Sequence, residues 1–363
     1  MRSLPTGFVR DKNGFAYKKL EGAFLRTASF YGYKDVDVSA LYPIAESFAG
    51  GTDNRFKLID RNGDILCVTE DAVTGLLNAS GSAPERLATS CEVYKYVGDK
   101  RNERQFAVLN TGFGGAEPVC ELIVLGKEIL QNYGITDAKI YISNAMILQG
   151  LAEVYLGHRP DAAELRAVID RTPNTDKECA LDTLIKETMA AKGDVTVLKS
   201  IAERTTNATG TQGLKSLLAL SDLLEACGIT DVEFDLSILG REYDGGDVFE
   251  IRNEDGTVLC LGGRHDFLDG TGIMRAASLI VYPEIILTDY RLKEDDVVNA
   301  IIGIADSMKA VSSAYKLKDD LIKNGLSVSL LYKTSKDATF AYAEAFGVGT
   351  AVFVDAEGGL TNN

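Results

Sequence analysis

The sequence predicts an α+β fold: a mainly antiparallel sheet with helices and a helical insertion, followed by a small C-terminal α/β domain. Three observations carry this. Alternating apolar residues in Phe56-Lys57-Leu58-Ile59-Asp60 and Asp64-Ile65-Leu66-Cys67-Val68-Thr69 flank Arg61-Asn62-Gly63, and Asn-Gly between such runs marks a tight hairpin. From Asp161 to Gly228 the apolar pattern is helical, with few strand signals. After Glu294 strand and helix patterns alternate at a spacing that predicts a largely parallel module. The core is therefore expected over residues 1–283, the insertion over about 161–228, and the second domain over 294–363.

In chain order, Phe15, Leu20, Phe24 and Ala28 recur at helical spacing, and the helix ends near Gly32. A short extended run follows at Asp35 to Val38. Glu70 to Asn78 reads as a helix closed by Ser80-Gly81-Ser82. Strands are expected around Cys91 to Tyr96 and Gln105 to Thr111, separated by the charged loop Gly98 to Glu103, which reads more readily as a solvated turn than as a ligand clamp. Glu117 to Tyr133 is an amphipathic helix, Lys139 to Ser143 a strand, and Ala145 to Tyr155 another helix. Leu165, Val168 and Ile169 form one apolar stripe of the insertion, and Leu214, Leu217 and Leu218 part of another.

After Gly270-Thr271-Gly272-Ile273-Met274-Arg275 an apolar helix is expected to run to Pro283, which cannot continue it. The remainder alternates: strand Val297 to Ala305, helix Ser307 to Asn324, strand Leu326 to Tyr332, helix Ala338 to Phe346, strand Thr350 to Asp355.

The chain is organised around the stretch Phe234 to Ile251, which reads as strand, glycine-rich bend at Gly245-Gly246, strand. Arg241, Glu242, Asp244, Asp247 and Glu250 gather charge around that bend. The density suits a pocket floor, and a solvated hairpin is the plainer alternative.

At 363 residues there is room for two domains. The net charge of −15 disfavours a nucleic-acid partner, because Lys and Arg supply most of the affinity for phosphates. Six scattered cysteines without a C-x-x-C pair and only two histidines give no zinc pattern. No signal peptide or run of about 18 apolar residues is present, so a cytoplasmic protein with no membrane partner, no cofactor and no metal is expected.

Read together, the segments resemble class II histidyl-tRNA synthetase and, more closely, its paralogue, the regulatory subunit of ATP phosphoribosyltransferase in bacterial histidine biosynthesis. Pro5-x-Gly7 is similar to the N-terminal signature of both, and Tyr31-Gly32-Tyr33 with the run at Asp35 resembles motif 1, with Ser39 where its proline usually stands. Phe56 to Leu66 matches the hairpin before the amino-acid pocket. The insertion and Phe234 to Leu239 are closer to the regulatory subunit. The resemblance implies a class II aminoacyl-tRNA synthetase-like sheet, a C-terminal domain of anticodon-binding type, and a homodimer formed through motif 1. That C-terminal domain holds six Lys plus Arg against ten Asp plus Glu, a net charge of −4, which makes a poor anticodon reader.

The departures decide the expected function. Where the synthetase has Arg-Pro-Glu-x-Thr, this chain has Thr69-Glu70-Asp71-Ala72-Val73; Asp71 keeps an acceptor for an ammonium and Val73 does not. Motif 2 has Lys95 and Val97 in place of Arg and Glu, and a Lys lacks the bidentate fork that positions a phosphate. The downstream Gln and Glu of the synthetase fall at about Val108 and Gly112. The histidine-specific motif lands on Leu239 to Gly246, where its leading Arg is Leu239 and Tyr243 survives. Motif 3 corresponds to Gly272-Ile273-Met274-Arg275.

Each lost electrostatic contact is worth about 3 kcal/mol in the transition state. A chain with no catalytic residues follows, and the implied role is a non-catalytic subunit that binds the catalytic subunit of ATP phosphoribosyltransferase and senses histidine as an effector. The competing readings are a repurposed enzyme that activates another carboxylic acid with ATP, for which the carboxylates near Asp244 and Asp247 suit a cationic ligand or Mg²⁺, and a scaffold without a small ligand. The implied ligand residues are Asp71, Lys95, Tyr243 and Arg275. Each also has a structural reading: Asp71 as a helix cap, Lys95 and Arg275 as surface residues, Tyr243 as a packed aromatic. His265 reads as structural rather than as a catalytic base.

Overall fold

In the computed structural model the described residues are 14–43, 56–81, 83–97, 100–112, 114–160, 162–171, 180–239, 246–269, 272–289 and 300–362. They fall into two units, Met1–Tyr290 and Arg291–Asn363.

The first unit is built on a nine-stranded sheet. Its middle is antiparallel: β5 (Arg86–Val97) pairs with β6 (Lys100–Thr111), then come β12 (Gly272–Val281), β11 (Val258–Asp269), β10 (Asp247–Arg252) and β7 (Lys139–Asn144). Parallel strands close both sides, β1 (Lys34–Asp35) beside β5 and β9 (Val232–Asp235) beside β7, with β8 (Lys192–Gly193) at the far edge. The expected hairpin forms a separate small sheet, β2 (Leu41–Pro43), β4 (Ile65–Val68) and β3 (Lys57–Ile59).

Alternation along the strands sends successive side chains to opposite faces. One face packs on α2 (Ala72–Ala79), whose Val73, Leu76 and Leu77 join Leu87, Ala107, Leu109, Ala276 and Ile280 in one apolar cluster. The other face packs on α1 (Gly14–Phe30) and α3 (Glu117–Asn132). There Phe24 stacks on Phe106 with ring centroids 5.1 Å apart, and Gly126 lets α3 approach Ile251 and Leu279 so closely that a Cβ would lie 3.0 Å from Ile251 Cδ1. After α4 (Ala145–Leu156) the insertion supplies α5 (Ala162–Arg171), α6 (Ala180–Met189), α7 (Thr196–Ala202) and α8 (Ala208–Ala226). Helices α4 and α8 cross where Gly150 meets Gly210, and a Cβ on Gly150 would overlap the Gly210 backbone.

Four expectations are corrected. Residues 276–281 form a strand, not a helix, and Pro283 opens α9 (Pro283–Asp289) instead of ending one, as suits a residue with no N–H to donate. An apolar run buried on both faces does not distinguish strand from helix by periodicity. Lys100 to Glu103 belong to β6, and Glu103 pairs with Val93. The run after Asp35 is not extended ladder, since β1 ends at Asp35. The strands on either side of the bend are not partners: β7 lies between β9 and β10, parallel to one and antiparallel to the other. The hairpin turn at Asn253 to Gly256 joins β10 to β11 instead.

The second unit has β13 (Ala300–Ile304) at its centre, parallel to β14 (Val328–Tyr332) and β15 (Thr350–Val354), with an added antiparallel edge strand β16 (Leu360–Asn362) that the sequence pattern did not announce. Helix α10 (Met308–Lys323) packs on Ile302, Ile304 and Val354 through Ala310 and Ala314. Helix α11 (Lys336–Ala345) packs through Ala343 against Ile301 and Ala351 on the opposite face. Every residue of β13 is buried, as expected of a central parallel strand covered on both sides.

Candidate functional site

The N-terminus of α2 sits against the α2 face of β5 and β6. Asp71 is its N-cap in extended conformation, with one carboxylate oxygen accepting from the Thr74 N–H at 2.7 Å and the other from the Thr74 hydroxyl at 2.6 Å. Such a cap satisfies an amide that the first helical turn leaves without an internal partner. A second amide, that of Ala72, is taken by Gln105 Oε1 at 2.9 Å, while Gln105 Nε2 donates to Glu103 Oε1 at 2.7 Å. Asp71 and Gln105 are both buried. Val73 is packed in the apolar cluster beneath.

This end of the sheet is rich in acceptors. Tyr42 hydrogen-bonds to Glu70, and Glu103 stands beside Gln105. Burial, with the Asp71 and Glu92 charges, pushes the Cys91 thiol up to about 12. Among the described residues the arrangement gathers acceptors that suit a cationic group such as an ammonium. The Gln105 contribution was missed in the sequence, although its signal was there: it is a polar residue on the buried parity of β6 with Ala107 and Leu109.

The other expected residues lie elsewhere or outside the description. Lys95 is in β5, and its side chain lies outside the described residues. Tyr243, with residues 240–245 of the bend, lies outside them too. Arg275 is exposed near the start of β12, against the loop that leads into α3. Its Cδ and Nη1 cover Gly114, where a Cβ would come within 2.8 and 2.9 Å of them. Arg275 adjoins Ala276, which pairs with Thr111, so it is separated from Gln105 by about 20 Å of strand. Asp71 therefore lies beside the middle of β6 and Arg275 beside its C-terminal end.

Past the bend, Asp247 is fully buried. Its carboxylate accepts from Asn144 Nδ2 at 2.7 Å and from Ser216 Oγ of α8 at 2.6 Å. Burial pushes its carboxyl above the ordinary value, against the lowering effect of those two hydrogen bonds and the Arg264 charge. Asp247 thus ties the insertion to the sheet and is no part of a solvated hairpin.

The same face carries Arg86, whose guanidinium grips Glu121 of α3 with Nη1–Oε1 at 2.5 Å and Nη2–Oε2 at 2.8 Å, while the Tyr33 hydroxyl donates to Glu121 at 2.8 Å. Glu250 and Asp235 are bound by Arg252 at 2.6 and 2.7 Å, and Arg252 and Lys192 lie over the Tyr141 ring at 4.5 and 4.2 Å. His265 is buried with Nε2 2.6 Å from Ser278 Oγ. Among the described residues no three His, Cys, Asp or Glu side chains group as metal ligands, and no helix is long and apolar enough to cross a membrane.

Known proteins resemble the chain along most of its length. It is 26% identical over 308 residues to the ATP phosphoribosyltransferase regulatory subunit of Trichormus variabilis, covering 76% of this chain and 75% of that one. It is 28% identical over 171 residues to the histidine–tRNA ligase of Cytophaga hutchinsonii, covering 41% of this chain and 37% of that one. Among solved structures, an ATP phosphoribosyltransferase regulatory subunit/histidyl-tRNA synthetase from Bacillus halodurans superposes with a TM-score of 0.75 at 20% identity, over 93% of this chain and 94% of that chain. Histidyl-tRNA synthetase from a Nostoc species gives 0.77 at 17% identity, over 100% and 97%. No protein-family model matches the chain. The fold is histidyl-tRNA synthetase-like.

Proposed function

We propose that the chain, which belongs to the class II histidyl-tRNA synthetase-like family, is a regulatory subunit of ATP phosphoribosyltransferase in histidine biosynthesis and performs no chemistry of its own. The observation that carries this is the run of relatives named as that subunit, 24% to 27% identical. The site supports it. Adenylation needs an arginine fork on the α-phosphate with its partner carboxylate, and this chain has Lys95 and Val97 there. The amides that open α2 are capped by Asp71 and Gln105.

The acceptor-rich end at Glu70, Asp71 and Glu103 fits the ammonium of an amino-acid effector, and histidine is the effector we assign to it. Lys95, Tyr243 and Arg275 are proposed as the further contacts of the old pocket. The small β2–β4–β3 sheet exposes Ile59 with Ile65 on one face and Leu41 with Leu58 on the other, and from the resemblance of Tyr31-Gly32-Tyr33 to motif 1 the subunit is proposed to be a homodimer, working in the cytoplasm. The 1–283 and 294–363 division is retained as the proposed domain plan.

The test is a mixing experiment with the short catalytic subunit. Co-elution and a gain in phosphoribosyl transfer, reduced by histidine, are expected, with no amino-acid-dependent pyrophosphate exchange by this chain alone. No association at micromolar concentrations would overturn the assignment. Exchange with any amino acid would favour the repurposed enzyme instead.

A further inference from the structure

The end of the insertion helix α8 meets α3 through two thiols. Cys227 is the C-cap of α8 and is exposed, its N–H directed at the carbonyls of Leu223, Leu224 and Glu225. Cys120 lies in the first turns of α3 and is buried. Their Sγ atoms are 3.9 Å apart across a sequence separation of 107. The other described cysteines, Cys67, Cys91 and Cys260, have no such sulfur neighbour among the described residues.

We propose that Cys120 and Cys227 form a reversible disulfide that fastens α8 to α3 when a low-molecular-weight disulfide oxidises the protein. A disulfide bond is about 2.05 Å long, so the sulfurs must close by about 1.9 Å. Rotation of Cys227 about its Cα–Cβ bond, at a helix end where the backbone also yields, supplies that movement.

The exchange balances in two steps. The exposed Cys227 thiol gives up its proton and its sulfur attacks RSSR, forming a mixed disulfide and releasing RS⁻, which takes up a proton. The Cys120 sulfur, once deprotonated, attacks the Cys227 sulfur and expels the second RS⁻. Two protein thiols and one RSSR become one protein disulfide and two RSH. Burial and the Glu117 and Glu121 charges hold the Cys120 thiol up, and both remain when Cys227 carries the mixed disulfide, so its attack is the slower step. The link has a structural target. Ser216 holds Asp247 about 16 Å back along α8, so the cross-link pins the helix to α3 while Ser216 pins it to β10, the strand that leaves the bend.

The test equilibrates the whole chain in glutathione buffers from fully reduced to fully oxidised, blocks residual thiols and maps peptides by mass. The expected product is one cross-linked pair, Cys120 with Cys227, lighter by two hydrogens and reversed by dithiothreitol. It should persist in C67S, C91S and C260S. In C120S Cys227 should carry a glutathione adduct and no cross-link, and closure in the parent should speed up about tenfold per pH unit between pH 7 and 9. Amide exchange at the C-terminal turns of α8 should slow in the oxidised form. A parent protein in which Cys227 carries glutathione with no cross-link, pairs with another cysteine, or stays reduced throughout overturns the proposal, and this parent map stands whether or not C120S folds.

Discussion

Replacing Asp71 separates its helix-capping role from a ligand role. In Asp71→Ala the Thr74 N–H and hydroxyl both lose their acceptor in a site where Asp71 is 6% and Thr74 5% exposed. Loss of a cap costs about 1–2 kcal/mol, and a buried hydroxyl left without its acceptor adds about 1 kcal/mol. The first unit should therefore lose about 2–3 kcal/mol, which lowers its Tm by about 5 °C for a unit of this size. Asp71→Asn keeps the oxygen that caps Thr74, and its amide can donate to the Thr74 hydroxyl, so it should melt within about 2 °C of the parent. Calorimetric unfolding reads both, and histidine titration of the same samples reads the ligand role: if the Asp71 charge holds the effector ammonium, Asp71→Asn loses affinity without losing stability. An Asp71→Ala protein that melts with the parent, or an Asp71→Asn protein that melts as low as Asp71→Ala, would refute the capping argument.

Two further outcomes follow from the structure. A Cβ on Gly303 would overlap the Thr339 hydroxyl and stand 2.7 Å from its Cβ and Cγ2, so Gly303→Ala should cost the second unit about 3 kcal/mol in chemical unfolding; an unchanged midpoint would mean that α11 is not seated there. At Asp235 burial opposes ionisation, but hydrogen bonds from Ser237 and Arg252, with the Arg252 and Lys192 charges, hold the carboxyl below its ordinary 3.8. Its stabilisation is therefore present above 3.8 and lost as pH falls through the lower folded value. Asp235→Asn should destabilise by about 2 kcal/mol at pH 7 and progressively less toward pH 3 in urea unfolding, and a penalty independent of pH would contradict the reading.

What the sequence determined by itself is local. Asn62-Gly63 between alternating residues announced the small hairpin sheet, the leucine stripes announced the insertion, and the strand–helix alternation announced the second unit, because each signal is written in residues that touch within a few turns. The charges of Lys100 to Glu103 hid a strand, since backbone pairing with β5 continues through them whatever their side chains. Ala276 to Val281 hid another, since a strand covered on both faces loses its alternation.

The site was legible in the same uneven way. Asp71 beside an apolar run carries the mark of a cap. Nothing near Asp247 in the chain reveals that Asn144 and Ser216 will close over its carboxylate, and the apparent hairpin around residues 234–251 is split by β7, a strand formed about a hundred residues earlier. Such features depend on which distant segments share a face of the sheet. Burial then sets their energetics: a carboxylate just after two glycines reads as solvated in the sequence, and only the packing of α8 against β10 makes Asp247 a buried tie.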